Sequence, residues 1–88
     1  MYIEFTVKYS PVLEAIVGTD QDTFSADLGT EENVVVPFGF AMFMTEQAHP
    51  QLFQKFPPGR LDFKLNGEDP QEDTPINNGD EVWFGVLN

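Results

Sequence analysis

The chain has 88 residues, enough for one domain with a small core, since a chain of this size buries only roughly 60–65% of its unfolded surface. Fifteen acidic residues oppose Lys8, Lys55, Arg60 and Lys64, and the resulting net charge of −11 repels phosphate backbones and anionic lipid, so neither nucleic acid nor membrane is expected as a partner. There is no cysteine, which excludes disulfides, thiolate metal sites and a cysteine nucleophile.

The acidity has two readings: complementarity to a basic partner protein, or solubility in a salt-rich host. Met1 to Phe5 carries neither the basic nor the apolar region of a secretory signal. The longest apolar run, near Phe38 to Met44, is far short of the roughly 20 residues that span a bilayer. A cytoplasmic protein is the expectation, folded as one domain over residues 1–88.

Residues 2 to 9 alternate, with Ile3, Phe5, Val7 and Tyr9 on one face and Glu4, Thr6 and Lys8 on the other, the pattern of a half-buried strand. Ser10-Pro11 opens a short helix, with Ser10 as N-cap and Pro11 at the first helical position. Val12, Leu13, Ile16 and Val17 form its apolar side, and Gly18 ends it. Alternation returns from Asp22 to Leu28, with Phe24, Ala26 and Leu28 inward, so the chain opens with an antiparallel strand pair.

Thr30-Glu31-Glu32 has the acids of a helix N-terminus, but Val34-Val35-Val36 is β-branched and Pro37 would break a helix already under way. A helix beginning near Pro37 and running to about Ala48 satisfies both facts. Pro50 and Pro57-Pro58-Gly59 punctuate the exit. Leu61, Phe63 and Leu65 mark a further strand closed by the Asn66-Gly67 turn. Asp69 to Asp73 is a polar loop, and Asn77-Asn78-Gly79-Asp80 turns into a last strand, Glu81 to Val86. The order is β, short α, β, α, β, β.

With that order in place, two segments carry a resemblance. Val12 to Asp20 resembles the first helix and Gly-containing turn of the molybdopterin synthase small subunit. Asn66-Gly67-Glu68, Thr74-Pro75-Ile76 and Asn78-Gly79-Asp80-Glu81-Val82 resemble that protein's "VNG…TPLxDGDEV" end. The chain therefore resembles the MoaD/ThiS-type sulfur carriers, the small subunit of molybdopterin synthase and the thiamine sulfur carrier, over most of its length. Residues 33–58 match poorly.

The resemblance implies an α+β, ubiquitin-like β-grasp: a mixed four-stranded sheet with one main helix packed across it, and strands 2–9 and 81–86 as parallel neighbours. It also implies a partner, either an adenylating enzyme or a molybdopterin-synthase-type large subunit. In the family a terminal Gly-Gly is adenylated, converted to a thiocarboxylate and inserted into the larger subunit. After Val82-Trp83-Phe84 this sequence reads Gly85-Val86-Leu87-Asn88 instead, so no catalytic residue is carried over. Two functional expectations follow. A sulfur carrier docked on a larger subunit requires a natural Gly-Gly end. A non-carrier binding or regulatory subunit of a larger complex requires Asn88 as the end.

Other chemistry is weakly signalled. His49, the one histidine, is expected to be solvated at a helix end. Asp69, Glu72 and Asp73 lack the spacing of a calcium loop, and Asp20 and Asp22 are likewise expected in solvent. No catalytic, cofactor-binding or metal-binding residue is assigned, and no autonomous enzyme is expected. The run Phe38-Gly39-Phe40-Ala41-Met42-Phe43-Met44 has more apolar surface than one helix face buries against a small sheet, so the remainder is either a partner surface or is buried by a longer, irregular segment that wraps both faces. Of Trp83 and Phe84, adjacent on a strand, one should face the core and one the outside. The expected partner-binding residues are Phe40, Phe43, Met44, Trp83, Phe84 and Val86.

Overall fold

The computed structural model describes residues 2–30 and 34–87. Strand β1 (Tyr2–Tyr9) buries Ile3, Phe5, Val7 and Tyr9, and exposes Tyr2, Glu4 and Lys8. Helix α1 (Pro11–Val17) buries Leu13 and Val17 and closes on Gly18, whose φ of +85° suits a residue without Cβ and whose N–H reaches the Glu14 carbonyl at 2.9 Å. Ser10 precedes it in extended conformation, but its hydroxyl makes no capping bond and has no hydrogen-bond partner among the described residues. Pro11, with φ already suited to a first turn, is therefore the stronger part of that start signal.

Strand β2 (Gln21–Asp27) returns antiparallel to β1, placing Phe24 opposite Phe5 and Ala26 opposite Ile3. Strand β3 (Val36–Pro37) leads directly into α2 (Phe38–Ala48), which buries Phe38, Ala41 and Thr45. The expectation for residues 31 and 32, as part of a helix start, lies outside the described residues. A third helix, α3 (Pro50–Lys55), occupies a stretch read from sequence as an exit loop. Pro50 is its first residue, so the proline starts a helix there instead of ending one. A 3-10 turn (Pro58–Arg60) precedes β4 (Leu61–Leu65). Strand β5 (Pro75–Ile76) pairs with β3 in a two-residue ribbon, and β6 (Glu81–Val86) completes the chain of elements.

The main sheet runs β2-β1-β6-β4. Strand β6 lies parallel to β1 and antiparallel to β4, so it occupies an interior position with both edges bonded. Helices pack on one face. The core beneath them includes Phe5, Val7, Leu13, Leu52, Val82 and Phe84, each fully buried. Burial of such side chains stabilises by about 1.5–3 kcal/mol each. Rings meet edge-on through it: Phe38 to Phe63 at 6.0 Å, Phe63 to Phe84 at 4.8 Å and Phe84 to Tyr9 at 6.3 Å.

Two turns place β6. Asn66 and Gly67 both have positive φ, 51° and 85°, the combination for a two-residue hairpin turn. The Asn66 side chain then bridges to the second turn: its Oδ1 accepts the Glu81 N–H at 2.9 Å, and its amide donates to Asp80 Oδ1 at 3.0 Å. Asp80 Oδ2 accepts the Asn77 N–H at 2.8 Å. Asn78 Oδ1 accepts the Glu4 N–H at 2.8 Å, and the Gly79 N–H donates to the Glu4 carbonyl at 2.7 Å. The Asn-Gly and Asn-Gly-Asp-Glu motifs thus form a clamp that sets the entry of β6 beside β1.

Candidate protein-docking surface

Strand alternation divides the sheet into a covered face and an open one. On the open face the register aligns Lys8 of β1, Trp83 of β6 and Lys64 of β4 in one row across the sheet. Trp83, the one tryptophan, is 36% exposed at the centre of that row. Its indole lies back along β6 over Gly85, where a Cβ would fall 2.1 Å from Trp83 Cη2. Glycine at 85 therefore permits the ring to lie flat, a close approach that any side chain would block.

Both lysines are paired locally. Lys8 Nζ lies 3.4 Å from Glu81, and Lys64 reaches Asp62 at 4.0 Å and forms a short contact with Asp69. The Asp69 carboxylate, chiefly by hydrogen bonding, holds the Lys64 ammonium above its ordinary pKa. Two of the four basic residues thus flank one aromatic platform on an otherwise acidic protein. Such exposed pairs are individually weak and yield readily to a competing partner.

The residues expected to bind a partner fall on different faces. Trp83 is on the open face. Phe84 is fully buried opposite Tyr9 and Phe63, so it fills the core and presents no surface. Val86 points to the same covered side, half-buried opposite Leu61. Phe40 is half-buried, its ring edge-on to Phe5 at 6.3 Å, because the helix turns it onto the sheet and not outward. Met44 is half-buried, and Phe43 is 54% exposed on α2. Trp83 and Phe43 remain as accessible anchors, one on each side of the domain.

A cluster on the covered side of the same end of the sheet corrects two further expectations. His49 is not solvated: its side chain is 14% exposed, and Nε2 lies 2.6 Å from Asp22 Oδ2. That oxygen also accepts the Tyr9 hydroxyl at 2.8 Å, so the two rings share one carboxylate oxygen. Asp22, expected in solvent, is instead the half-buried partner of both. Tyr9 and His49 rings meet edge-on at 5.8 Å. Burial pushes the Tyr9 phenol far above its ordinary pKa, and hydrogen bonding to Asp22 and the charge on that carboxylate push the same way. The arrangement ties the α2–α3 junction to β1 and β2. Sequence signals for it were Asp22 at an inward-facing position of β2 and Tyr9 at one of β1.

No group of three or more metal-ligating side chains occurs among the described residues, and no helix among them is long and apolar enough to cross a membrane. No protein-family profile matches the sequence, and no curated protein is significantly similar to it. Solved structures are similar across nearly the whole chain. A candidate molybdopterin converting factor subunit 1 from Pyrococcus furiosus superposes with TM-score 0.74 at 15% identity, covering 98% of this chain and 99% of its own. Small archaeal modifier protein 1 from Haloferax volcanii gives 0.74 at 20% identity, with the same coverage of 98% and 99%. Its namesake from Methanosarcina acetivorans gives 0.75 at 16%, covering 98% and 94%. The chain has the α+β, ubiquitin-like β-grasp fold that these small proteins share.

Proposed function

We propose that this protein is a small ubiquitin-like carrier or modifier that works by docking on a larger protein through the open face of its sheet, with Trp83 as the central anchor. The observation that carries this reading is the row Lys8–Trp83–Lys64. A partly exposed tryptophan at the centre of a strand-paired face matches the Trp-rich composition of binding hot spots, and the row of lysines beside it sets its charge apart from the acidic remainder. The names of its structural relatives, a molybdopterin converting factor subunit and archaeal modifiers, support the carrier or modifier class. The partner that class implies is an adenylating enzyme or a larger synthase subunit. Catalysis would then belong to the partner, and this chain would not be an autonomous enzyme. Location in the cytoplasm accords with the same reading.

The motifs behind the resemblance act here as the clamp on β6, so they support the fold and are neutral about sulfur chemistry. A second reading, a non-carrier binding or regulatory subunit, rests on that neutrality. Capture of partners from native lysate by this protein and by Trp83→Ala, with intact-mass analysis of the native protein's C-terminus, tests both. An adenylating enzyme held by wild type and lost by Trp83→Ala, with oxygen-to-sulfur exchange at a terminal glycine, supports the carrier. A partner set unchanged by Trp83→Ala refutes the docking surface. Partners of another class, lost with Trp83, favour the regulatory subunit.

A further inference from the structure

The helical side of the domain carries a separate hollow of about 370 Å³. Met42 and Phe43 of α2, Phe53 of α3 and Phe63 of β4 form its apolar walls, and Glu46 and Glu72 stand in its lining. Phe43 is more than half exposed there, a large apolar group left in water. A shallower depression adjoins it, sharing Gly39, Gln71 and Glu72 and adding Asp73. No lysine or arginine lines either one.

The distribution of ion pairs sharpens the contrast with the sheet face. There Lys8 and Lys64 answer Glu81, Asp62 and Asp69. Glu46, Glu72 and Asp73 have no ion-pair partner among the described residues. Gly39 adds to the shape: a Cβ there would lie 3.1 Å from Glu72 Cγ, so glycine lets the Glu72 side chain rest against the start of α2. The Phe38 and Gly39 N–H groups donate to the Thr74 and Glu72 carbonyls at 2.8 and 2.9 Å, fixing the loop to the helix. The Glu72 backbone is thus fixed beside the apolar walls, with its exposed side chain against the start of α2.

We infer that this hollow binds a basic amphipathic segment of a partner protein, an apolar side chain entering between Phe43 and Phe63 while flanking Lys or Arg residues meet Glu46 and Glu72. Uncompensated carboxylates around an unfilled apolar hollow select that occupant over a neutral or acidic one, which would leave the charges unanswered. The site is distinct from the Trp83 face and stands whether or not that face docks anything.

The test uses isotope-labelled full chain and a blocked synthetic peptide, Arg-Arg-Leu-Phe-Arg-Arg, followed by amide shifts in NMR. Shifts are expected at Met42, Phe43, Glu46, Phe53 and Glu72, with Trp83 and Lys64 unmoved. Glu46→Gln with Glu72→Gln should weaken binding roughly fivefold, the scale of two exposed charge pairs. Phe43→Ser, at an exposed position that leaves the core intact, should weaken it further. The peptides Glu-Glu-Leu-Phe-Glu-Glu and Arg-Arg-Ser-Ser-Arg-Arg separate the two requirements, and neither should bind here. Equal binding of either control, shifts spread over the whole acidic surface, shifts centred on Trp83, or no binding at all overturns the inference. So does indifference to both Phe43→Ser and the double glutamine variant.

Discussion

Asn66 offers a quantitative test of the clamp that seats β6. Replacing it with alanine removes two hydrogen bonds, the acceptance from Glu81 N–H and the donation to Asp80. At about 0.5–1.5 kcal/mol each, and near the lower end because Asn66 is exposed, these contribute about 1–2 kcal/mol. Alanine must also hold φ near 51°, a left-handed conformation that costs an ordinary residue about 1–2 kcal/mol and asparagine less. Asn66→Ala should therefore lose about 2–4 kcal/mol, on the order of 10–20 °C in Tm for a domain of this size. Asn66→Gly removes the same bonds but tolerates the backbone, so it should fall about 1 kcal/mol short of the alanine loss. Urea titrations read by Trp83 fluorescence and by far-ultraviolet circular dichroism measure both. Should Asn66→Gly match wild type, the side-chain bridge has no energetic role. Should the two variants match each other, the left-handed backbone has none.

Other perturbations address the remaining features. Gly85→Ala should lift the indole off β6, because the new Cβ cannot share space with it; a red-shifted Trp83 emission with retained sheet signal is the expected result. Phe84→Ala should cost about 3–5 kcal/mol, whereas Phe43→Asp, at an exposed position, should change stability by less than about 1 kcal/mol; thermal melts of the two give the contrast. Asp22→Asn or His49→Ala should each cost about 1–3 kcal/mol, with a double variant less than additive in chemical denaturation. Tyr9 has its folded pKa raised above the ordinary phenol value of about 10. Its stabilising contribution is therefore whole below about pH 10 and is lost as pH climbs from there toward the folded value. Absorbance of tyrosinate in an alkaline titration should show Tyr9 ionising only as the fold opens.

Much of the fold was legible because it rests on local pattern. Ile3, Phe5, Val7 and Tyr9 alternate strictly, and the parallel placement of β6 beside β1 followed from the resemblance carried by Asn66-Gly67 and Asn78 to Val82. Helix α3 was hidden because Pro50 and Pro57 both read as breaks, although a proline is equally at home in a first turn. The β3–β5 ribbon was invisible for a different reason: two residues carry no period, and Val36 meets Ile76 only through the tertiary fold. At the site, alternation required that Trp83 and Phe84 face opposite ways. Only the register, Phe84 opposite Tyr9 and Phe63, decided which was buried. The Tyr9–Asp22–His49 cluster joins three residues from separate elements, so no motif could announce it. Phe40 was misplaced outward because an almost wholly apolar helix face has no stripe to orient it.

The position of β6 has a consequence for synthesis. Thr6 waits for Glu81, its parallel neighbour 75 positions further along the chain. At a translation rate of about 5–20 residues per second, that delay is on the order of 4–15 s. The β1–β2 hairpin, built from near neighbours, can close within microseconds of emerging. It then presents one unpaired β1 edge to solvent until β6 arrives. A slow codon stretch before residue 81 would lengthen that exposure, and early partner proteins or chaperones would meet the half-built sheet long before the finished one.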